Sequence, residues 1–187
     1  TLLADLSILP QPSVRLAPTA PDTHLDGGLD VAQTLSTQKL TITKGALATA
    51  KTLVLPMAER LTPDRAARLA QALDDGRTAV AFDEGIDDEK LADVLQDRLA
   101  FRIITDEITL HAVAKVTIDP DIITKAQERL HRIPTRAADI ETLAMLAAQL
   151  GIDSMRALDL AFRCARAHAA LMAHEMVDET DTLVAAT

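Results

Sequence analysis

Asparagine, tryptophan and tyrosine are absent from the 187 residues, and three phenylalanines supply all of the aromatic area. Platforms that stack bases and cages that hold quaternary ammonium groups need rings this chain does not have. Any mechanism that requires a catalytic or sensing Asn is excluded outright. One cysteine forbids an internal disulfide and a cysteine-based zinc cage. Long apolar runs are missing too: none approaches the ~20 residues of a membrane span. The opening Thr1-Leu-Leu-Ala-Asp5 lacks the basic stretch and cleavage site of a signal peptide. These readings predict a cytoplasmic protein without a membrane span. Basic residues are few, 19 against 28 acids, and the net charge of −9 repels phosphate backbones. Nucleic acid is therefore not expected as a partner.

What is present is globular. A hydrophobic fraction of 48% and a charged fraction of 25% exclude wholesale disorder. The start lacks Met, as expected of a fragment. Prolines at 10, 12, 18 and 21 predict an irregular, extended segment over residues 1–28. Gly27-Gly28 breaks the chain before a short helix expected over Leu29 to Leu35, and Lys39-Leu-Thr-Ile-Thr43 alternates as a half-buried strand would. The apolar run Thr52-Leu-Val-Leu55 reads as a buried strand stopped by Pro56. Thr62-Pro63-Asp64 signals a helix start, with Ala66, Leu69, Ala70 and Leu73 on one face and Gly76 at the end. Thr78-Ala-Val-Ala-Phe82 is a second expected strand, Asp87 opens a helix carrying Leu91, Val94 and Leu95, and Phe101-Arg-Ile-Ile104 is a third strand. Alternation of this kind predicts an α/β fold with a parallel sheet.

Beyond Thr105 the pattern is helical. Asp119-Pro120 opens a helix to about Leu130 whose buried set is Ile122, Ile123, Ala126 and Leu130. Thr135 caps a second helix running to Gly151, and Asp153 or Ser154 caps a third from Met155 to about Met176. Leu158, Phe162, Ala165, Ala169, Met172 and Met176 form its apolar stripe. The expected organisation is an α/β core over 1–105 and a helical domain over 106–187.

An α/β core followed by a helical lid is a design used by nucleotide-driven motors, so three tests apply. No G-x-x-x-x-G-K-[ST] phosphate loop occurs in the sequence. The apolar strand that should end in magnesium-binding acids ends instead in Pro56-Met57. The sensor Asn cannot exist.

Four short stretches then follow one another in a recognisable order: Gly27-Gly-Leu-Asp30, Gly45-Ala-Leu-Ala-Thr-Ala50, Leu53-Val-Leu-Pro-Met57 and Leu95-Gln-Asp-Arg-Leu99. With them, Met155-Arg-Ala-Leu-Asp-Leu-Ala-Phe-Arg-Cys-Ala-Arg166 is similar to a sensor-2 helix. Over about residues 22–175 the chain resembles the AAA+ modules of magnesium chelatase, the D subunit more closely than the ATP-hydrolysing I subunit. The resemblance implies a degenerate AAA+ core without its phosphate loop, followed by a helical lid. It implies a platform that does not itself hydrolyse ATP and forms a mixed, hexameric ring with the I subunit. That ring would engage the H subunit carrying protoporphyrin IX and drive ATP-dependent insertion of Mg²⁺, the step toward chlorophyll or bacteriochlorophyll. ATP and Mg²⁺ would sit at the partner subunit's site, with none bound tightly by this chain. The compartment would be the cytoplasm, or the plastid stroma in a plant or alga. The acidic linker and metal-binding domain of a full D subunit are not seen in this sequence.

The same resemblance assigns Arg98, in the L-x-D-R pattern, as an arginine finger acting in trans, with Arg102 as fallback. The plain alternative is an arginine compensating a helix end or paired with Asp93 or Asp97. Arg156 stands at the sensor-2 position, against the alternative of a solvated pair with Asp159 beside Arg163. No metal site is expected: His24, His111, His131, His168 and His174 form no i, i+4 pair and no H-E-x-x-H motif. The acids Asp87-Asp-Glu89 and Asp178-Glu-Thr-Asp181 read as solvated charge. Met145, Met155, Met172 and Met176 fit core spacing, and Cys164 reads as a small, semi-buried residue. Two other functions stay open. One is a structural adaptor module with no part in a nucleotide site, and the other is a MoxR-like ATPase truncated before its phosphate loop.

Overall fold

The computed structural model describes residues 8–86, 88–105 and 119–186. It divides into two compact units, Thr1–Leu99 and Ala100–Thr187.

The first unit is built on a three-stranded parallel sheet. Its strands are β1 (Ser13–Arg15), β4 (Thr52–Leu55) and β5 (Thr78–Ala81), in the order β1-β4-β5. Every residue of β4 is buried, which explains why its sequence is apolar without alternation: both faces of a central parallel strand are covered. Register is set by Ser13 opposite Thr52 and Thr52 opposite Thr78. The Thr52 hydroxyl, the one polar side chain in the strand, donates to the Pro10 carbonyl at 2.7 Å. Helix α4 (Pro63–Asp74) packs Ala66, Leu69 and Ala70 into the same core as Leu53, Leu55 and Leu95. Its start has Thr62 at the N-cap and Pro63 in the first turn, and Gly76 takes a left-handed φ of +90° just past its end.

Several elements depart from the sequence reading. The proline-rich opening contains β1 and the short helix α1 (Asp22–Asp26), because prolines flank these pieces rather than interrupt them. Gly27-Gly28 does not break the chain. It begins β2 (Gly27–Leu29), paired antiparallel with β3 (Ile42–Lys44), and β3 is exposed throughout rather than half-buried. Between them lies α2 (Val31–Thr37), two residues later than expected because Asp30 is its cap, accepting from Gln33 N at 2.9 Å. Helix α3 (Ala46–Thr49) follows. The helix expected from Asp87 is the single turn α5 (Asp93–Gln96), with Leu91 and Leu95 buried, while Asp87 itself lies outside the described residues. Residues 101–104 form no strand: their side chains are exposed, and an apolar run without a paired neighbour has no ladder to join.

The second unit is helical: α6 (Pro120–Leu130), α7 (Ala137–Gln149), α8 (Met155–Met172) and α9 (Glu179–Ala186). The expected helical reading of 106–118, with His111, lies outside the described residues. Ser154, not Asp153, caps α8 by accepting from Ala157 N. The N-cap of α7 is Arg136 rather than Thr135. Ala126, Ile133, Ala165, Ala169, Ala170 and Val177 form the core. Small residues dominate the α8 seam, which lets neighbouring helices approach closely and moves the bulky side chains out. Met145, Met155, Met172 and Met176 are all exposed, contrary to their core-like spacing, and so is Ile122. Cys164 is half-buried, and burial pushes its thiol pKa up, leaving it protonated and inert.

Candidate functional site

Arg98 follows α5 and turns back onto α4. Its Nε donates to both oxygens of Asp74 at 3.0 Å, its Nη2 donates to Asp74 Oδ2 at 2.7 Å, and its Nη1 donates to the Val94 carbonyl at 2.8 Å. The hydrogen-bonding partner is thus Asp74, 24 residues upstream, and Asp97 adds only an electrostatic attraction. The Arg98 side chain is 17% exposed and that of Asp74 28%. The hydrogen bond to Asp74 raises the arginine's pKa further, against the opposing effect of burial, so the cation is permanent. Arg102, the fallback, lies in the exposed stretch after residue 100.

Ligands of open α/β sheets lie outside the C-terminal ends of the strands. At that edge β4 runs into Pro56 and Met57, followed by a 3₁₀ turn, Ala58–Arg60, and β5 runs into Phe82, Asp83 and Glu84. The Glu59 side chain is fully buried there; one oxygen accepts from Glu84 N at 3.0 Å, and the other lies 3.3 Å from Arg60 Nε. Asp83 accepts from Gly85 N and Leu91 N, each at 3.1 Å, and so ties down the loop after β5. Arg60 is shared between Glu59 and Glu89. This edge therefore exposes both signs of charge, Asp83 and Glu84 beside Arg60, while the Glu59 carboxylate is turned inward.

Arg156 lies in the first turn of α8 and is half-buried. Asp159, its expected partner, pairs instead with Arg163 at 2.8 Å, in i, i+4 spacing. Arg98 and Arg156 belong to different units.

A polar cluster that the sequence reading missed lies between α8 and α9. Asp181, expected as solvated charge, is fully buried. Its Oδ1 is 2.6 Å from His168 Nδ1, and both oxygens lie within 3.1 Å of His174 Nδ1. Asp178 N donates to Asp181 Oδ2 at 2.9 Å, while Asp181 N donates back to Asp178 Oδ1 at 3.0 Å. That reciprocal pair is a capping box at the start of α9. Burial tends to raise the Asp181 pKa, but the Asp178 amide and the two imidazoles outweigh it and the net direction is down. The hydrogen bond to Asp181 moves His174 up. The D-x-x-D spacing was the available sign of the cap; the histidines gave none, because a turn, not a helix, brings His174 beside Asp181.

The AAA lid domain family matches residues 140–187. The chain is 43% identical over 178 residues to the "Magnesium-chelatase 60 kDa subunit" of Cereibacter sphaeroides, covering 94% of this chain and 32% of that protein. To the "Magnesium-chelatase 60 kDa subunit" of Rhodobacter capsulatus it is 37% identical over 185 residues, covering 97% of this chain and 33% of that protein. It therefore spans about a third of the length of these relatives. A crystal structure of a Cytophaga hutchinsonii protein assigned as an ATPase superposes with a TM-score of 0.62 at 13% identity, over 93% of this chain and 66% of that one. At that identity the likeness concerns the fold alone, an AAA-type α/β core followed by a helical lid. Over the third of their length that it spans, the chain is similar to the magnesium-chelatase 60 kDa subunits.

Proposed function

We propose that the chain is the N-terminal AAA+ module of a magnesium-chelatase D subunit, a platform that does not hydrolyse ATP and lends Arg98 to a neighbour's nucleotide site. The observation that carries the reading is the end of β4. The fully buried central strand ends directly in Pro56 and Met57, which can neither bind Mg²⁺ nor polarise water, at the strand end where a hydrolysing relative carries its acids. The sequence has no G-x-x-x-x-G-K-[ST] loop to cradle phosphates and no Asn to sense them. ATP and Mg²⁺ then belong to the site of the I subunit, which forms a mixed hexameric ring with this module. The ring works with the H subunit carrying protoporphyrin IX and powers insertion of Mg²⁺, its substrate, toward chlorophyll or bacteriochlorophyll, in the cytoplasm or a plastid stroma. Arg98 would stabilise charge developing on the γ-phosphate, an effect worth about 10³–10⁵ in rate. Arg156, in the first turn of α8, would act as the sensor-2 cation.

A second reading is favoured by one contact: Arg98 is already engaged by Asp74 of its own chain, as a purely structural adaptor would have it. The two readings separate in the assembled complex. The subunit carrying this chain should release no phosphate from MgATP alone, and Arg98→Ala should depress ATP turnover of the complex. If replacing both Arg98 and Arg156 leaves turnover intact while assembly survives, the adaptor reading stands.

A further inference from the structure

We infer that Asp74 is the positioning residue for Arg98, holding the guanidinium in one presentation toward the neighbouring nucleotide site; the inference rests on the trans-arginine reading above. Asp74 is the last residue of α4, and Asp75 follows it at the C-cap. Two acids at the negative end of a helix dipole oppose local preference, so their place there needs a compensating cation. Arg98 supplies it through a fork in which Nε and Nη2 both meet the Asp74 carboxylate. The Val94 carbonyl, one turn back on α5, takes Nη1. Arginine carries five N–H donors in a rigid plane. These contacts use Nε–H and one N–H of each terminal nitrogen, so one N–H on Nη1 and one on Nη2 remain for a phosphate oxygen.

Both supports of the fork are fixed. Asp74 sits at the end of the α4 face that buries Leu69 and Ala70, and Arg98 follows Leu95, which is itself buried. The arginine backbone is held as well, Arg98 N donating to the Leu95 carbonyl at 2.9 Å. Without Asp74 a long, flexible side chain would sample many rotamers and reach the phosphate only part of the time. Misplacement of a catalytic group by about 1 Å costs on the order of 10²-fold in rate. Loss of the fork belongs at or below that figure, because the Val94 contact remains.

The test uses the full subunit assembled with its ATP-hydrolysing partner, with assembly checked by size. ATP turnover is measured as kcat and KM for Arg98→Ala, Asp74→Ala, Asp74→Asn and the Arg98→Ala/Asp74→Ala double variant. Asp74→Ala should lower kcat about tenfold with KM for MgATP unchanged. Asp74→Asn, which keeps one acceptor oxygen, should fall between it and the parent. The double variant should be no slower than Arg98→Ala, because Asp74 acts only through the arginine. Unchanged kcat in both Asp74 variants, while Arg98→Ala is slow, overturns the positioning role and spares the trans-arginine reading. Effects that multiply in the double variant overturn it too. Full turnover with Arg98→Ala overturns the reading itself, and the positioning role with it.

Discussion

Asp181 concentrates the electrostatics of the helical unit. A fully buried carboxylate accepts from the Asp178 amide and meets both His168 and His174, so it ties α8, the turn after it and α9 together. The pH dependence follows from the two shifts. His174 is raised above its ordinary 6.5, so its contribution is complete below about that value and fades as pH rises through the higher folded value. Asp181 is lowered from its ordinary 3.8, so its contribution is present above that value and is lost as pH falls through the lower folded one. The α8–α9 junction should therefore be tightest between these limits. Proton NMR of the His174 ring should show titration above 6.5, returning to ordinary behaviour in Asp181→Ala; titration at or below 6.5 in the parent contradicts the clamp. Asp178→Ala removes the cap and should cost about 0.5–2 kcal/mol in denaturant unfolding of this unit. Little of the cluster was legible in sequence. Charge in a terminal stretch reads as solvated unless a turn is known to fold it inward, and the left-handed Ala173, φ +63°, that makes this turn is not a residue type that announces one.

Among the elements, the β2–β3 hairpin explains why glycines stand at positions 27 and 45. Gly27 has φ +85°, and a methyl there would overlap the Thr43 carbonyl; a methyl on Gly45 would overlap Gly27 N and the Leu25 carbonyl. The two glycines face each other backbone to backbone, so each is needed for the other's approach. Gly45→Ala should open the hairpin, read as faster hydrogen exchange at the Asp30 amide, which bonds the Thr41 carbonyl at 2.8 Å. Gly28→Ala should be mild, because a methyl there meets only Thr23 Cγ2 at an ordinary 3.7 Å. Leu53→Ala, in the fully buried central strand, should cost about 2–5 kcal/mol by equilibrium unfolding. Several elements were legible: β4 from its apolar run, α4 from its cap and stripe, and α6 and α8 from their starts, whereas the cap of α7 lay one residue past the one expected. The hairpin was not, because a two-stranded, exposed pair is specified by close backbone contact rather than by hydrophobic alternation. Residues 101–104 misled for the opposite reason, since apolarity alone does not supply a hydrogen-bonded neighbour.

At the scale of the whole molecule, the first unit carries Asp83, Glu84 and Arg60 at its sheet edge and the forked Arg98 after α5. Arg98 was legible as a candidate only through the L-x-D-R resemblance. Its union with Asp74 was not, because 24 residues and a strand separate them, although the acids at the end of α4 were a sign of a missing cation. Relatives matching this chain are about three times its length. The most direct measurement is steady-state ATP hydrolysis by the proposed complex of the subunit carrying this chain with an ATP-hydrolysing partner, with Arg98 intact and as Arg98→Ala, at equal assembly. A cation lent across the interface predicts a fall of about 10³-fold or more at saturating MgATP. Equal turnover from the two complexes would contradict it.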